Sequence, residues 1–207
     1  MGVRMFPVVL AVLIAMLVSS VNAEARTKSA SDDAYAGLVQ LFEEWREFQR
    51  PRMQEGVPDY TADAMAQQHE DLADFQKRLA SFDRTTWSSS EQIDWWLVWA
   101  EMNGLDFDHR VLRPWARDPA FYSLVIDSES DTPLKEGAVN AGAIELWRLR
   151  FPLEGDELQR FRVRLQAIPK TLAQARENLI GDAEDLWRLG IRSQQGQSSH
   201  LEALAET

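Results

Sequence analysis

Residues 91–122 read EQIDWWLVWAEMNGLDFDHRVLRPWARDPAFY, and the fold class turns on how they are read. The stretch opens behind Ser88-Ser89-Ser90-Glu91, a capping box in which a serine hydroxyl accepts from an orphan helix amide and Glu91 reaches back. Ile93, Leu97, Ala100, Gly104, Phe107 and Val111 then recur at three- and four-residue steps, which predicts one buried helix face. Trp95, Trp99 and Met102 fall on a second face. The helix is therefore expected to be covered on both sides, with Gly104 small enough to admit a close neighbour. Pro114 sets its end, because the proline ring disfavours helical geometry in Arg113. From Ser89 to Leu112 such a helix spans about 36 Å at the standard rise, long enough for the central strut of a domain.

The strut also carries Asp94, Glu101, Asn103, Asp106, Asp108, His109, Arg110 and Arg113. Asp106 and Arg110 are four apart with the acid first, the favourable order. A buried carboxylate must be paired or protonated, so these groups are expected to serve one another in a polar network.

Working outward, Tyr35, Leu38, Phe42, Trp45 and Phe48 make a helical stripe that Pro51 stops. Thr61 is a candidate N-cap for a helix over 62–82 that buries Met65, Leu72, Phe75 and Leu79. Downstream, 127–132 is acidic and serine-rich and reads as a surface loop. The region 138–153 is predicted helical, with a short strand through Trp147, Leu149 and Phe151 as the alternative. Asp156 is expected to cap a helix with Leu158, Phe161, Leu165 and Ile168 inward, which Pro169 should end or kink. Leu172, Ala175 and Leu179 continue the stripe to a stop at Gly181. A last helix begins near Asp182 with Leu186 and Leu189 inward, turns polar after Gly190, and leaves 200–207 as a frayed end. The fold class is all-α: about six helices around a long Trp-rich helix, with little or no β structure.

Residues 1–23 have the form of a cleaved signal peptide. Arg4 supplies the charge, Phe6 to Val18 the apolar run, and Val21-Asn22-Ala23 the small-residue cleavage site. The run is shorter than the ~20 residues that span a bilayer. Export to the periplasm or outside the cell follows as the expectation, with no stable membrane anchor after cleavage. The remaining 24–207 would make a single helical region. The chain has 33 acidic against 22 basic residues and a net charge of −11, which repels phosphate backbones and makes nucleic acid an improbable partner. It contains no cysteine, so disulfides and thiolate metal sites are excluded.

The chemistry-bearing residues are sparse. His69-Glu70 begins like a zinc-peptidase helix motif, but the motif needs a second histidine one turn on, and that position is Ala73. His69, His109 and His200 stand far apart in sequence, none at metal-ligand spacing from another. A histidine on an apolar helix face reads as a hydrogen-bonded core residue. No Gly-x-Ser-x-Gly elbow and no phosphate-binding glycine loop with lysine occurs. Arg113 and Arg117 could fork a carboxylate and Trp115 could offer a π-face to a ligand. In the plainer reading Arg117 and Asp118 pin this loop while Trp115 plugs the core.

The run Ala100-Glu101-Met102-Asn103-Gly104-Leu105-Asp106-Phe107-Asp108-His109, with Leu112-Arg113-Pro114-Trp115-Ala116-Arg117-Asp118-Pro119 and Phe121-Tyr122, resembles the N-terminal half of a bacterial family known as domain of unknown function 885. Arg164 to Pro169, Ala173 to Leu179 and Asp185 to Ile191 extend the resemblance over most of the chain from Tyr35 onward. The resemblance implies a secreted zinc-peptidase-like protein whose zinc site lies in a C-terminal half, at a His-Glu pair followed by Pro-Gly-His. The present chain is expected to be cut short of that motif, to hold no catalytic residue, cofactor or metal of its own, and to shape one wall of the substrate cleft. Arg113, Trp115, Arg117 and Tyr122 are the expected cleft-lining residues. Its partners would be a peptide substrate or the missing C-terminal half. An exported helical module that binds a peptide or protein is the alternative.

Overall fold

The computed structural model describes residues 33–129 and 139–205. The predicted signal segment and part of the predicted surface loop lie outside the described residues. Six α-helices follow in order: α1 (33–48), α2 (Ala62–Ala80), α3 (Ser89–Phe107), the single turn α4 (Pro114–Arg117), α5 (Gly155–Asn178) and α6 (Glu184–Ala205). Strand is confined to two-residue pieces, β1 (Met53–Gln54), β2 (Val57–Pro58), β3 (Val125–Ile126) and β4 (Ile144–Glu145). The fold is all-α. The described chain forms two compact units, one of 33–47 with 74–102 and one of 48–73 with 103–205.

The first unit is built on Leu38, Leu41, Trp45, Leu79, Trp87, Trp95, Val98 and Met102, all buried. The capping box forms as the residues dictate: Ser88 N donates to Glu91 Oε2 at 2.7 Å and Glu91 N to Ser88 Oγ at 3.3 Å. Two buried indole nitrogens find acceptors, Trp95 Nε1 on Leu79 O at 2.9 Å and Trp45 Nε1 on Glu101 Oε2 at 3.1 Å, while that of buried Trp87 has none among the described residues. Arg84 lies over the Trp95 ring, 3.7 Å from its centre. The strut's acids look mostly to other elements rather than to one another, with Tyr35 OH donating to Asp94 Oδ2 at 2.7 Å and Arg46 3.6 Å from Glu101.

Coverage of α3 differs from expectation. Trp95, Val98 and Met102 are its buried residues. The stripe predicted to be buried is the bare one: Ile93, Leu97, Ala100, Gly104, Phe107 and Val111 are all exposed. Trp99, expected on the covered side, is exposed as well. A Cβ added at Gly104 would meet nothing within 4 Å, so this glycine admits no neighbour. The reason is plain in the sequence. Apolar residues lie on two of its faces, so periodicity finds both and cannot say which one is covered.

In the second unit, Glu55 and Gly56 take positive φ of 51° and 82° to turn β1 back on β2. The region predicted as a helix over 138–153 is not one. Asn140 Oδ1 accepts from Gly142 N at 2.9 Å to form a tight turn. Ile144, fully buried, then pairs β4 in parallel with β3, and Leu146–Arg148 makes a 3-10 turn. Pro152 disfavours helical geometry just before it, which works against a helix there. Conversely, α5 runs through Pro169 without ending, its inner face holding Ala167, Ile168, Thr171 and Ala175. The final helix is also longer than expected. Gln197, in the stretch that reads as polar, is buried, and its Oε1 accepts from the amides of Leu124 and, at 3.0 Å, Val125. That bond satisfies the amides where β3 begins and gives α6 a reason to continue.

Candidate functional site

Within the second unit the chain beyond α3 winds into a π-helical turn, Asp108–Leu112, closed by Arg113 N donating to Asp108 O at 2.7 Å. Arg113 caps it in the left-handed conformation, φ 43° and ψ 58°, and Pro114 starts α4. The wide turn places His109 inside. His109 is 7 % exposed and stacks on His69 of α2, ring centres 5.1 Å apart and planes 5° from parallel. These two histidines stand forty residues apart in the sequence.

Each imidazole has a defined partner. His69 Nε2 lies 3.1 Å from Asp106 Oδ1, and the other oxygen of Asp106 accepts from Arg110 Nη2 at 2.6 Å. His109 Nε2 lies 3.0 Å from Gln68 Oε1. The Gln68 amide nitrogen donates to Phe48 O at 3.2 Å, which turns its oxygen toward His109 and assigns the proton to His109 Nε2. Trp115 closes the other side, its ring centre 4.8 Å from that of His109. Burial, with the charge on His69 adding to it, pushes His109 down to about 4. The guanidinium of Arg110, then His69, hold the Asp106 carboxyl below its ordinary value.

The four residues expected to line a cleft occupy different places. Arg113 is the helix cap. Trp115 is half-buried against a core of Tyr60, Met65, Phe121, Tyr122 and Ala175. Arg117 donates to Asp182 Oδ1 at 3.2 Å and to Val111 O at 3.0 Å, and Asp118 Oδ1 accepts from Ala120 N at 2.8 Å to cap the 3-10 turn Pro119–Tyr122. Tyr122 is buried; its hydroxyl donates to Trp115 O at 2.7 Å and accepts from Asn178 Nδ2 at 3.0 Å, and burial raises it to about 12. Tyr122 also lines an open groove.

That groove, about 650 Å³, lies in the second unit. Leu172 and Ala175 of α5, with Leu179 just past its end, form one wall, and Trp187, Ile191 and Ser198 of α6 the other, above a floor of Pro119 and Tyr122. Both walls are helical stripes at three- and four-residue steps. Gly190 is what lets α6 settle on the floor: a Cβ there would come 2.5 Å from Pro119 Cβ. Sequence reasoning aimed Leu186 and Leu189 inward and missed this stripe, although Trp187-x-x-Gly190-Ile191 carried the signal.

The zinc that the family resemblance implies does not fit the residues described. Among them no group of three His, Asp or Glu side chains is placed to hold a metal ion. In the histidine stack both Nε2 atoms already face protein acceptors, and Asp106 is shared with Arg110. No family model, no curated protein and no solved structure matches the chain.

Proposed function

We propose that this chain is the helical, cleft-shaping portion of an exported zinc-peptidase-like protein, not catalytic by itself, and that the C-terminal half carrying the metal motif lies along the bare face of α3. One observation carries the reading. Within the first unit Ile93 and Leu97 are 58 % and 59 % exposed, and Trp96 and Trp99 beside them are exposed as well. Neighbouring exposed apolar side chains of this size mark interaction sites. The motif from Ala100 to His109 that carries the resemblance lies on this same helix and its π-helical extension.

The test is to mix the purified chain with a separately expressed polypeptide bearing the His-Glu and Pro-Gly-His motif and follow co-elution. Binding lost in Leu97→Glu, with melting behaviour unchanged, is the expected result. Independent elution of the two polypeptides overturns the reading. A second reading, a helical module for a peptide or protein partner, draws on the groove between α5 and α6. It predicts that binding survives Leu97→Glu and fails when the groove is filled.

A further inference from the structure

The groove between α5 and α6 has a composition unlike the rest of this acidic chain. Its lining includes Arg176 and no carboxylate, in a protein with 33 acidic and 22 basic residues. Nearby cations are spoken for: Arg117 by Asp182, Arg188 by Glu184, Lys170 by Glu55. Arg176 has no ion pair or hydrogen bond among the described residues, and it is exposed. Around it the walls are apolar, and the other polar lining groups, such as Gln194, Gln195 and Ser198, are neutral. Gln194 is committed, donating to Pro119 O at 3.1 Å.

We propose that this groove binds a long-chain monocarboxylate, a free fatty acid, with its tail between the α5 and α6 stripes and its carboxylate on Arg176. The volume of about 650 Å³ falls within the range of small-molecule sites. The α6 wall, from Trp187 to Ser198, is about 16 Å long at the helical rise, the reach of an extended chain of about a dozen carbons. A single planar guanidinium matches a carboxylate in forked geometry. Arg176 sits two residues from the end of α5 at Asn178, where the helix dipole is negative. That placement favours a singly charged head group, balanced by one arginine, over a phosphate carrying more charge. The inference is independent of the α3 reading, and the two are tested by different substitutions.

The experiment is calorimetric titration of the full chain with dodecanoate below its micelle concentration. One saturable site is expected, weakened at least tenfold by Arg176→Gln and abolished by Ile191→Trp, which fills the groove. Dodecanol should bind the wild type no more tightly than dodecanoate binds Arg176→Gln. If Ile191→Trp melts early, Ser198→Trp serves in its place. The Leu97→Glu variant should bind as the wild type does, since the bare face of α3 is a separate surface. Absence of saturable binding, or equal affinity in wild type and Arg176→Gln, overturns the proposal. So does tighter binding of an apolar peptide lacking a free carboxylate.

Discussion

The two sides of α3 are made of the same kinds of residue and have opposite fates. Met102 is fully buried while Leu97, five positions earlier, is mostly in water. Arg84 lies 3.7 Å from the centre of the Trp95 ring and 5.3 Å from that of Trp96, but buried Trp95 also donates from its indole nitrogen to Leu79 O, whereas the exposed Trp96 and Trp99 lean edge-on against each other, 5.5 Å apart. What separates the sides is how much of each is packed away from water. An apolar face states a capacity for burial; a buried face needs a partner as well. The difference is measurable.

The largest expected effect is on the covered side. Met102→Ala should cost about 2–5 kcal/mol in urea unfolding, the usual range for removing a buried long side chain. Leu97→Ala should stay within about 0.5 kcal/mol of wild type, as surface substitutions do. If both cost the same, the bare side is covered in solution and the contrast fails.

The covered side changes character where Trp95 and Met102 are followed, at a further step of seven, by His109. Here the dry face ends in a titratable ring, which sharpens the contrast with Val111 on the wet side. The groups around His109 are His69 and Gln68 from α2, Asp106 and Arg110 from its own stretch, and Trp115 from α4. Its folded value of about 4 lies below the ordinary 6.5, so the unfolded chain takes up the proton first as pH falls. Stability should therefore drop by about 3 kcal/mol between pH 6.5 and 4 and no further from this group below that. His109→Phe, compared with wild type across the same pH range, should remove that part of the slope while leaving the carboxylate contribution below it. Equal slopes in the two proteins would falsify a neutral His109 in the stack.

How much of this was legible follows the same division. Local chemistry spoke clearly: the Ser88–Glu91 box, the Thr61 cap, the stripes of Leu38, Leu41 and Trp45 and of Met65 and Leu72, and the stop at Pro114 all follow from neighbours within one turn. Pairings across long separations did not. His69 with His109, Gln197 with the start of β3, and Ile144 in a parallel bridge depend on where distant segments are brought together. A turn set by Asn140 and Gly142 defeated a helical pattern over 138–153, and the buried face of α5 carried it past Pro169. Of the site, the sequence placed Arg113, Trp115 and Arg117 in one proline-bounded loop; it could not show that Arg117 faces Asp182 and Tyr122 the groove.

A small effect of opposite sign is expected on the bare side, and its sign discriminates. Gly104 is exposed within α3, with open space where a side chain would go. A glycine in a helix interior loses more backbone freedom on folding than alanine does, at a cost of about 0.8–1 kcal/mol. Gly104→Ala should therefore raise the urea midpoint, a gain in stability of about 0.5–1 kcal/mol. Gly104→Leu, which a tight helix contact would forbid, should be tolerated. A gain from alanine with a collapse from leucine would mean that something approaches this face in solution at a distance that admits a methyl group and nothing larger. In that case the bare side of α3 has an occupant already, and Gly104 marks where it comes nearest.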